Sequence, residues 1–429
     1  MEKLFKLKEN GTNVRTEIMA GVTTFMTMAY ILAVNPGILS EAGMDFGKVF
    51  AATAIASAIA SVMMGLYANL PFALSAGMGL NAMFAYTVCL GMGYSWKWAL
   101  SAILVEGIIF LILTFTNARE AIVTGIPANL KKAIGVGVGF LITFVGLKNG
   151  GLIVDDGANL TGLNPEWYKG APLIAVIGII ITAILLVRKV KGALLIGMAI
   201  STLIGIPLGV TTYAGGSYLP SAPYFAEFAF GEITASPDAL FDFVIVVFTF
   251  LYFDMFDTVG TLIACAGKSG MIKEDGSIPN AKKALMTDAV GTTAGAFLGT
   301  STVTTFIESS AGVAEGGRTG LTAVTVGFLF LVSLFLEPVF GSIPGAATAP
   351  ALIIVGFLMM SEVKNIDFSD YTEGIPAFMT MIFMVFTSSA SDGIMFGLFS
   401  YVLLKSFTGK VKEINPVLWI ITALFVIKV

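Results

Sequence analysis

Apolar residues run along this chain in stretches of about 20, separated by short polar punctuation, which is the length a helix needs to cross a bilayer. The pattern predicts spans at about 17–35, 48–67, 71–90, 97–116, 131–147, 171–188, 192–211, 239–263, 284–300, 301–317, 320–337, 346–361, 374–388 and 391–407. A last apolar segment, Pro416–Ile427, reads as a surface element. The longest interruptions, about 148–170, 212–238 and 267–283, are rich in Gly, Pro, Asp and Asn and read as loops rather than domains. From Ile18 the apolar run leads straight into the first span without a short apolar core and A-x-A cleavage site. A retained first span, and no appended soluble domain, are therefore expected.

Two segments depart from helical patterning. Ser301–Phe306 (STVTTF) is built of hydroxyl-bearing and β-branched residues that favour extended chain. Leu74–Asn81 (LSAGMGLN) is interrupted by Gly77 and Gly79. Extended backbone at membrane depth leaves N–H and C=O groups that protein or ligand must cover. The reading is two short strands, each leading into a half-helix whose free amides and positive dipole end face a midplane site. The plain alternative is two Gly/Ser-rich helices packed closely.

These two segments occupy matching places in an internal repeat. Tyr30 aligns with Tyr252 and so Asn35 with Asp257, Asn81 aligns with Glu308, and Ile126-Pro127 aligns with Ile343-Pro344. The last alignment also sets Gly139-Phe140-Leu141 on Gly356-Phe357-Leu358. The offsets are 222, 227 and 217 (252 minus 30, 308 minus 81, 343 minus 126), a coherent drift across three segments. Fourteen spans make seven per copy, and an odd number forces the second copy to insert upside down.

Composition agrees with a membrane-embedded chain: 56% hydrophobic residues, 12% charged and a mean hydropathy of +0.89. With the N-terminus set in the cytoplasm, inside segments collect 19 Lys and Arg, among them Arg119, Lys268 and Lys273, against Lys48, Lys97, Lys148 and Lys169 outside. Lys428 is left out of that count. The bias follows the positive-inside rule and sets both termini in the cytoplasm. The 48 glycines and 20 methionines suit close helix packing. Cys89 and Cys265 are the only cysteines, both in apolar segments, so neither a disulfide framework nor a metal site is expected. There is no histidine, so any coupled proton must travel on carboxylates.

The polar residues inside the apolar stretches are the candidates for chemistry, because a charge at the bilayer centre is costly and usually faces a cavity. Asp254 and Asp257 lie one turn apart in FTFLYFDMFDTVGT. Asp254 reads as the substrate or proton carboxylate and Asp257, aligned with Asn35, as the group holding the repeats together; structural pairing with Lys or Arg is the alternative for both. Glu308, at the start of the second half-helix, reads as a ligand carboxylate or else as a plain N-terminal cap. Asn81, its repeat mate, offers donor and acceptor, or else bridges backbone groups. Glu106, in ILVEGIIFL, reads as an interhelical hydrogen bond ahead of a proton path. Asp288, Glu315 and Arg318, like Asp242 and Glu337, sit near span ends where ion pairs or snorkelling anchors are the default. Gly135, Gly137 and Gly139 read as helix packing, not as a nucleotide loop.

TTFIESSAGVAEGGRTGLTAV (Thr304–Val324), SAGMGLNAMFAY (Ser75–Tyr86) and FLYFDMFDTVGTL (Phe250–Leu262) resemble the signatures of nucleobase:cation symporter family 2, the nucleobase/ascorbate transporter family. They are most similar to its adenine/guanine/hypoxanthine permease branch, where Ser stands, as Ser309 does here, in place of the wider family's Asn. The missing histidine also separates the chain from uracil and xanthine relatives. The resemblance implies an all-α polytopic fold with 7+7 inverted repeats, a core domain from spans 1–4 and 8–11 (residues 1–120 and 239–340) and a gate domain from spans 5–7 and 12–14 (residues 121–238 and 341–429). It implies a proton-coupled, elevator-type importer in the plasma membrane, a homodimer through the gate domain with lipid around it, and neither an enzyme nor a nucleic-acid partner. By motif, Asn81, Asp254 and Glu308 become substrate residues, with Asp257 and Gly79 in support.

The residues suit such a cargo. A purine offers N–H donors beside acceptors on a flat edge. Glu308 and Asp254 accept, Asn81 does both, and backbone around Gly79–Ala82 and Ile307–Ser309 completes the edge. Phe84, Phe253 and Phe306 are all candidates for a stacking face. No cofactor beyond the coupling proton is expected; loss of hydration makes either acid a proton carrier. Another nucleobase or a small anion remains the alternative cargo, although three acids at the midplane would repel an anion. No nucleophile–base pair supports an enzyme, and paired broken helices favour alternating access over a channel.

Overall fold

In a computed structural model, described for residues 2–116, 127–156, 160–213, 215, 218–269, 271, 278–415, 418, 419 and 422, the chain is mostly helical. Ile126, Arg119, Lys273, Lys428, the side chain of Lys268 and most of segment 416–427 lie outside the described residues. After a single helical turn at Glu2–Phe5 come helices α1 (Val14–Met28), α2 (Ile31–Glu41) and α3 (Phe46–Met63). They are followed by strand β1 (Leu74–Ala76) and the half-helix α4 (Met78–Ala82), which continues in π-helical form over Met83–Gly91. Then come α5 (Trp96–Thr116), α6 (Ala128–Asn149), a hairpin of β2 (Ile153–Asp156) and β3 (Leu160–Leu163), α7 (Gly170–Val187) and α8 (Ala193–Gly205).

The second half holds α9 (Pro237–Ser269), α10 (Ala281–Leu298), strand β4 (Val303–Thr305) and the half-helix α11 (Ser309–Ala314). It ends with α12 (Gly320–Ser333), α13 (Gly345–Met360), α14 (Tyr371–Phe386) and α15 (Ala390–Phe407). Among the described residues eight helical segments are long and apolar enough to cross a membrane, and Met78–Gly91, Ala193–Gly205 and Tyr371–Phe386 are shorter apolar helices.

Two differences from the sequence reading stand out. The first span is two helices, turning at Ala29-Tyr30. The stretch 148–170, expected as plain loop, contains the β2–β3 hairpin. Strands of four residues are too short to register as an alternation along the sequence.

Strands β1 and β4 pair antiparallel, with Leu74 opposite Thr305, Ser75 opposite Thr304 and Ala76 opposite Val303. A two-stranded sheet buried in a helical bundle has open edges, and hydroxyls close them. Ser61 on α3 donates to the Leu74 carbonyl at 3.2 Å and accepts from its amide at 3.0 Å. Thr292 on α10 does the same for Val303, at 3.1 and 3.3 Å. An unpaired buried amide or carbonyl costs about 1–3 kcal/mol, so these hydroxyls make extended chain tolerable at this depth.

The helices pack in two sets. α1–α3, α5 and α9–α12 surround the strand pair; α6–α8 and α13–α15 pack among themselves, led by α6 on α13 and α14. Within the second set Gly139 is a packing glycine, as its sequence context suggested. A Cβ there would stand 2.7 Å from the Gly356 carbonyl oxygen, and a Cβ on Gly356 would strike the Gly139 carbonyl in return. Glu17, overlooked in the sequence, is fully buried and anchors the start of α12. It accepts from the Arg318 amide at 2.8 Å and the Thr322 hydroxyl at 2.6 Å, a carboxylate on a helix N-terminus.

Candidate functional site

The strand pair brings the starts of α4 and α11 together. Gly77 N–H donates to the Thr302 carbonyl at 2.9 Å, and Phe306 N–H donates to the Ala73 carbonyl at 2.9 Å. α4 begins at once after Gly77, and the first intrahelical bond is made by the Asn81 amide to Gly77. The amides of Met78, Gly79 and Leu80 therefore precede the helical ladder. α11 begins later, because Ile307 and Glu308 form a turn in which the Ser309 amide bonds Phe306 and the Ser310 amide bonds Ile307.

Gly79 is where the first half-helix is approached most closely. A Cβ there would stand 2.6 Å from Phe253 Cζ and 2.7 Å from Val138 Cγ1. Of the three aromatic candidates, Phe253 therefore lies against the half-helix start, whereas Phe84 is wholly buried.

The polar candidates fall into two groups on this frame. In one, Glu308 is half-buried beside Ile307, which is 40% exposed, so this side borders open space. Tyr30, at the turn between α1 and α2, donates its hydroxyl to Glu308 Oε1 at 2.8 Å. Asp257 is hydrogen-bonded to Thr304 on β4 and lies in electrostatic reach of Glu308 and Tyr30. In the other group, Asn81 is fully buried and its Oδ1 accepts from the Ser301 hydroxyl. Its Nδ2 is buried with no partner among the described residues. Asp254, also fully buried, lies within interaction reach of Glu106 and 3.4 Å from the Thr258 hydroxyl.

Asp254 and Asp257, one turn apart, thus face different groups. Asp257 is the α9 carboxylate beside Glu308, and Asp254 turns inward to Glu106. Asn35, which the sequence aligns with Asp257, donates through Nδ2 to Thr53 at 2.7 Å and to Thr300 at 2.9 Å and so ties the two halves of the chain together. Ser309 is fully buried and its hydroxyl accepts from the Ala73 amide at 2.9 Å, which ties α11 to the first strand segment. Tyr30 was missed because a tyrosine inside an apolar run looks like ordinary span; its alignment with Tyr252 was the available signal. Arg318 donates to the Val313 and Gly317 carbonyls, Asp242 accepts from Tyr94 and Glu337 from Ser221, all at helix ends.

A multi-pass helical membrane protein with a polar site between two broken helices is built for transport rather than catalysis. The chain matches the model of the Permease family (Xan_ur_permease) over residues 15–396 and belongs to that family, the nucleobase/ascorbate transporters. It is 43% identical to the guanine/hypoxanthine permease PbuO of Bacillus subtilis, covering 99% of each chain. It is 42% identical to the adenine permease AdeP of Escherichia coli, covering 100% of this chain and 96% of the relative. Its fold resembles the transmembrane domain of the cyanobacterial bicarbonate transporter BicA, with a TM-score of 0.67, 14% identity, and coverage of 89% of this chain and 97% of that one.

Proposed function

We propose that this protein imports purine nucleobases, hypoxanthine and guanine first and adenine as an open case, by proton symport with elevator-like alternating access. The observation that carries the reading is the pair of unlike groups at the half-helix starts: a half-buried carboxylate, Glu308, and a buried amide donor without a partner, Asn81 Nδ2. A purine edge presents an N–H to the first and a carbonyl or ring nitrogen to the second, and Phe253 supplies an aromatic neighbour. The full-length similarity to permeases named for adenine and for guanine/hypoxanthine supports the cargo class.

Two contacts support the 7+7 inverted repeat. Ala76 stands opposite Val303, 227 residues on, the offset that aligns Asn81 with Glu308. Gly139 packs reciprocally on Gly356, 217 residues on, the offset of its own segment. A residue that meets its own repeat mate lies on a two-fold axis. The two helix sets fit a core of residues 1–120 and 239–340 and a gate of 121–238 and 341–429. Contacts between the sets include polar ones, Lys191–Glu315 at 2.6 Å and Asn149 with Glu41 and Tyr86 at 2.8 and 3.2 Å, beside the apolar approach of Val138 to Gly79. Polar contacts of this kind suit surfaces that slide past one another. We further propose cytoplasmic termini, a plasma-membrane location and a homodimer through the gate set.

Uptake of labelled hypoxanthine, guanine, adenine, xanthine and uracil into cells expressing the chain, with and without a protonophore, tests the reading. Purine uptake abolished by the protonophore is expected. Uptake confined to uracil or xanthine would overturn the cargo, and indifference to the protonophore would overturn the coupling.

A further inference from the structure

We infer that Glu106 and Asp254 hold one proton between them and that this shared proton, sensed through Thr302, sets the position of the half-helix that carries Asn81. The inference rests on the proton-coupled reading and deepens it by naming a coupling pair apart from the Glu308 carboxylate.

Glu106 sits in the middle of α5 and is fully buried, as is Asp254 on α9. Glu106 Oε2 accepts from the Thr302 hydroxyl at 2.9 Å, and the Asp254 carboxyl lies within interaction reach of the same group. Two ionised carboxylates buried within reach of each other repel and have no hydrogen to donate, and one proton held between them removes that repulsion. Glu106 Oε1 is buried and receives no N–H or O–H donor from a described group, which leaves it free to share that proton. Groups that face the pair include Asp288 from α10, Thr258 from α9 and Thr302 before β4; Asp257, Glu308 and Tyr30 form the second polar group on the same strand pair.

Thr258 extends the pair into a chain. Its hydroxyl donates to Asp288 Oδ2 at 2.7 Å and lies 3.4 Å from Asp254 Oδ1. A proton leaving Asp254 is taken up at the Thr258 oxygen while Thr258 passes its own hydrogen to Asp288, so one proton moves and no other bond changes. Thr302 links the pair to the site. Its carbonyl holds the Gly77 amide and the neighbouring Ser301 holds Asn81. With the proton gone, two buried anions repel, Glu106 moves off Thr302, and the anchor of Gly77 and Asn81 loosens.

Glu106→Gln separates binding from coupling, because an amide can donate to Asp254 without a titrating proton. In proteoliposomes of the purified full chain, labelled-hypoxanthine exchange at equal pH is expected to stay within about threefold of the parent. Accumulation driven by an inward proton gradient is expected to fall about tenfold or more. The infrared band of a protonated carboxylic acid, present in the parent at neutral pH, is expected to vanish in Glu106→Gln. Gradient-driven accumulation or an acid band equal to the parent's in Glu106→Gln overturns the inference alone. A parent that does not respond to the gradient overturns proton symport and this inference with it. If Glu106→Gln fails to fold, Glu106→Asp decides: its shorter reach is expected to weaken coupling while preserving exchange, and unchanged coupling overturns the pair.

Discussion

The two strand-to-helix crossings share a backbone plan and differ in what they offer. In the first, Gly77 starts the helix immediately, its first amides precede the ladder, and Ser301 holds Asn81 Oδ1 while Nδ2 keeps its donors. In the second, the turn through Ile307 and Glu308 uses the amides of Ser309 and Ser310, and a carboxylate supported by Tyr30 takes their place at the open side. One crossing presents donors and the other an acceptor. Two crossings of like chemistry would suit a symmetric ligand; this unlike pair suits a ligand with unlike edges.

The largest effect should come from removing the acceptor. Glu308→Gln is expected to reduce purine uptake to background while surface expression, measured by blotting, is unchanged; wild-type uptake would remove Glu308 from the site. Gly79→Val comes next, because a side chain 2.6 Å from the Phe253 ring must displace either the ring or the half-helix. Uptake is expected to be lost with the protein still folded, and unchanged kinetics would dissolve the contrast between the crossings. Tyr30→Phe removes a charge-assisted hydrogen bond worth about 1.5–3 kcal/mol, so a KM raised about tenfold or more is expected, and an unchanged KM would take Tyr30 out of the site.

Ser309→Ala tests whether the second crossing is tied structurally or through its ligand. Leaving the Ala73 amide unpaired should lower stability by about 1–3 kcal/mol with KM unchanged; a raised KM at unchanged melting temperature would return Ser309 to the ligand. The smallest effect lies far from the site, at the start of α14. The Lys410 ammonium, with the Thr372 hydroxyl and amide, holds the Asp370 carboxyl below the usual carboxylate range. A depressed folded value lends stability above the ordinary carboxylate pKa and loses it as pH falls through the depressed one. Asp370→Asn should therefore lower the melting temperature slightly at neutral pH and not in strong acid, leaving uptake unchanged.

Much of this was written along the chain. Span-length apolar runs, the β-branched run at Ser301–Phe306 and the glycines at 77 and 79 pointed to the helices and to both breaks. Carboxylates inside apolar stretches pointed to Asp254, Asp257 and Glu308, because burial of a charge is too costly to be incidental. The partners were not legible. Tyr30 lies 278 residues from Glu308, and Thr302 lies 196 from Glu106; neither separation leaves a period in the sequence.

The sequence by itself determined that the chain lives in a membrane and where its helices break, since those depend on local hydropathy and backbone preference. Only the tertiary structure decided which way each acid faces. Asp254 and Asp257 are near neighbours on one helix, yet one meets Glu106 and the other Thr304, because α5 and β4 arrive at different sides of α9. Packing between distant segments, which no local pattern encodes, divided one acidic motif between two polar groups.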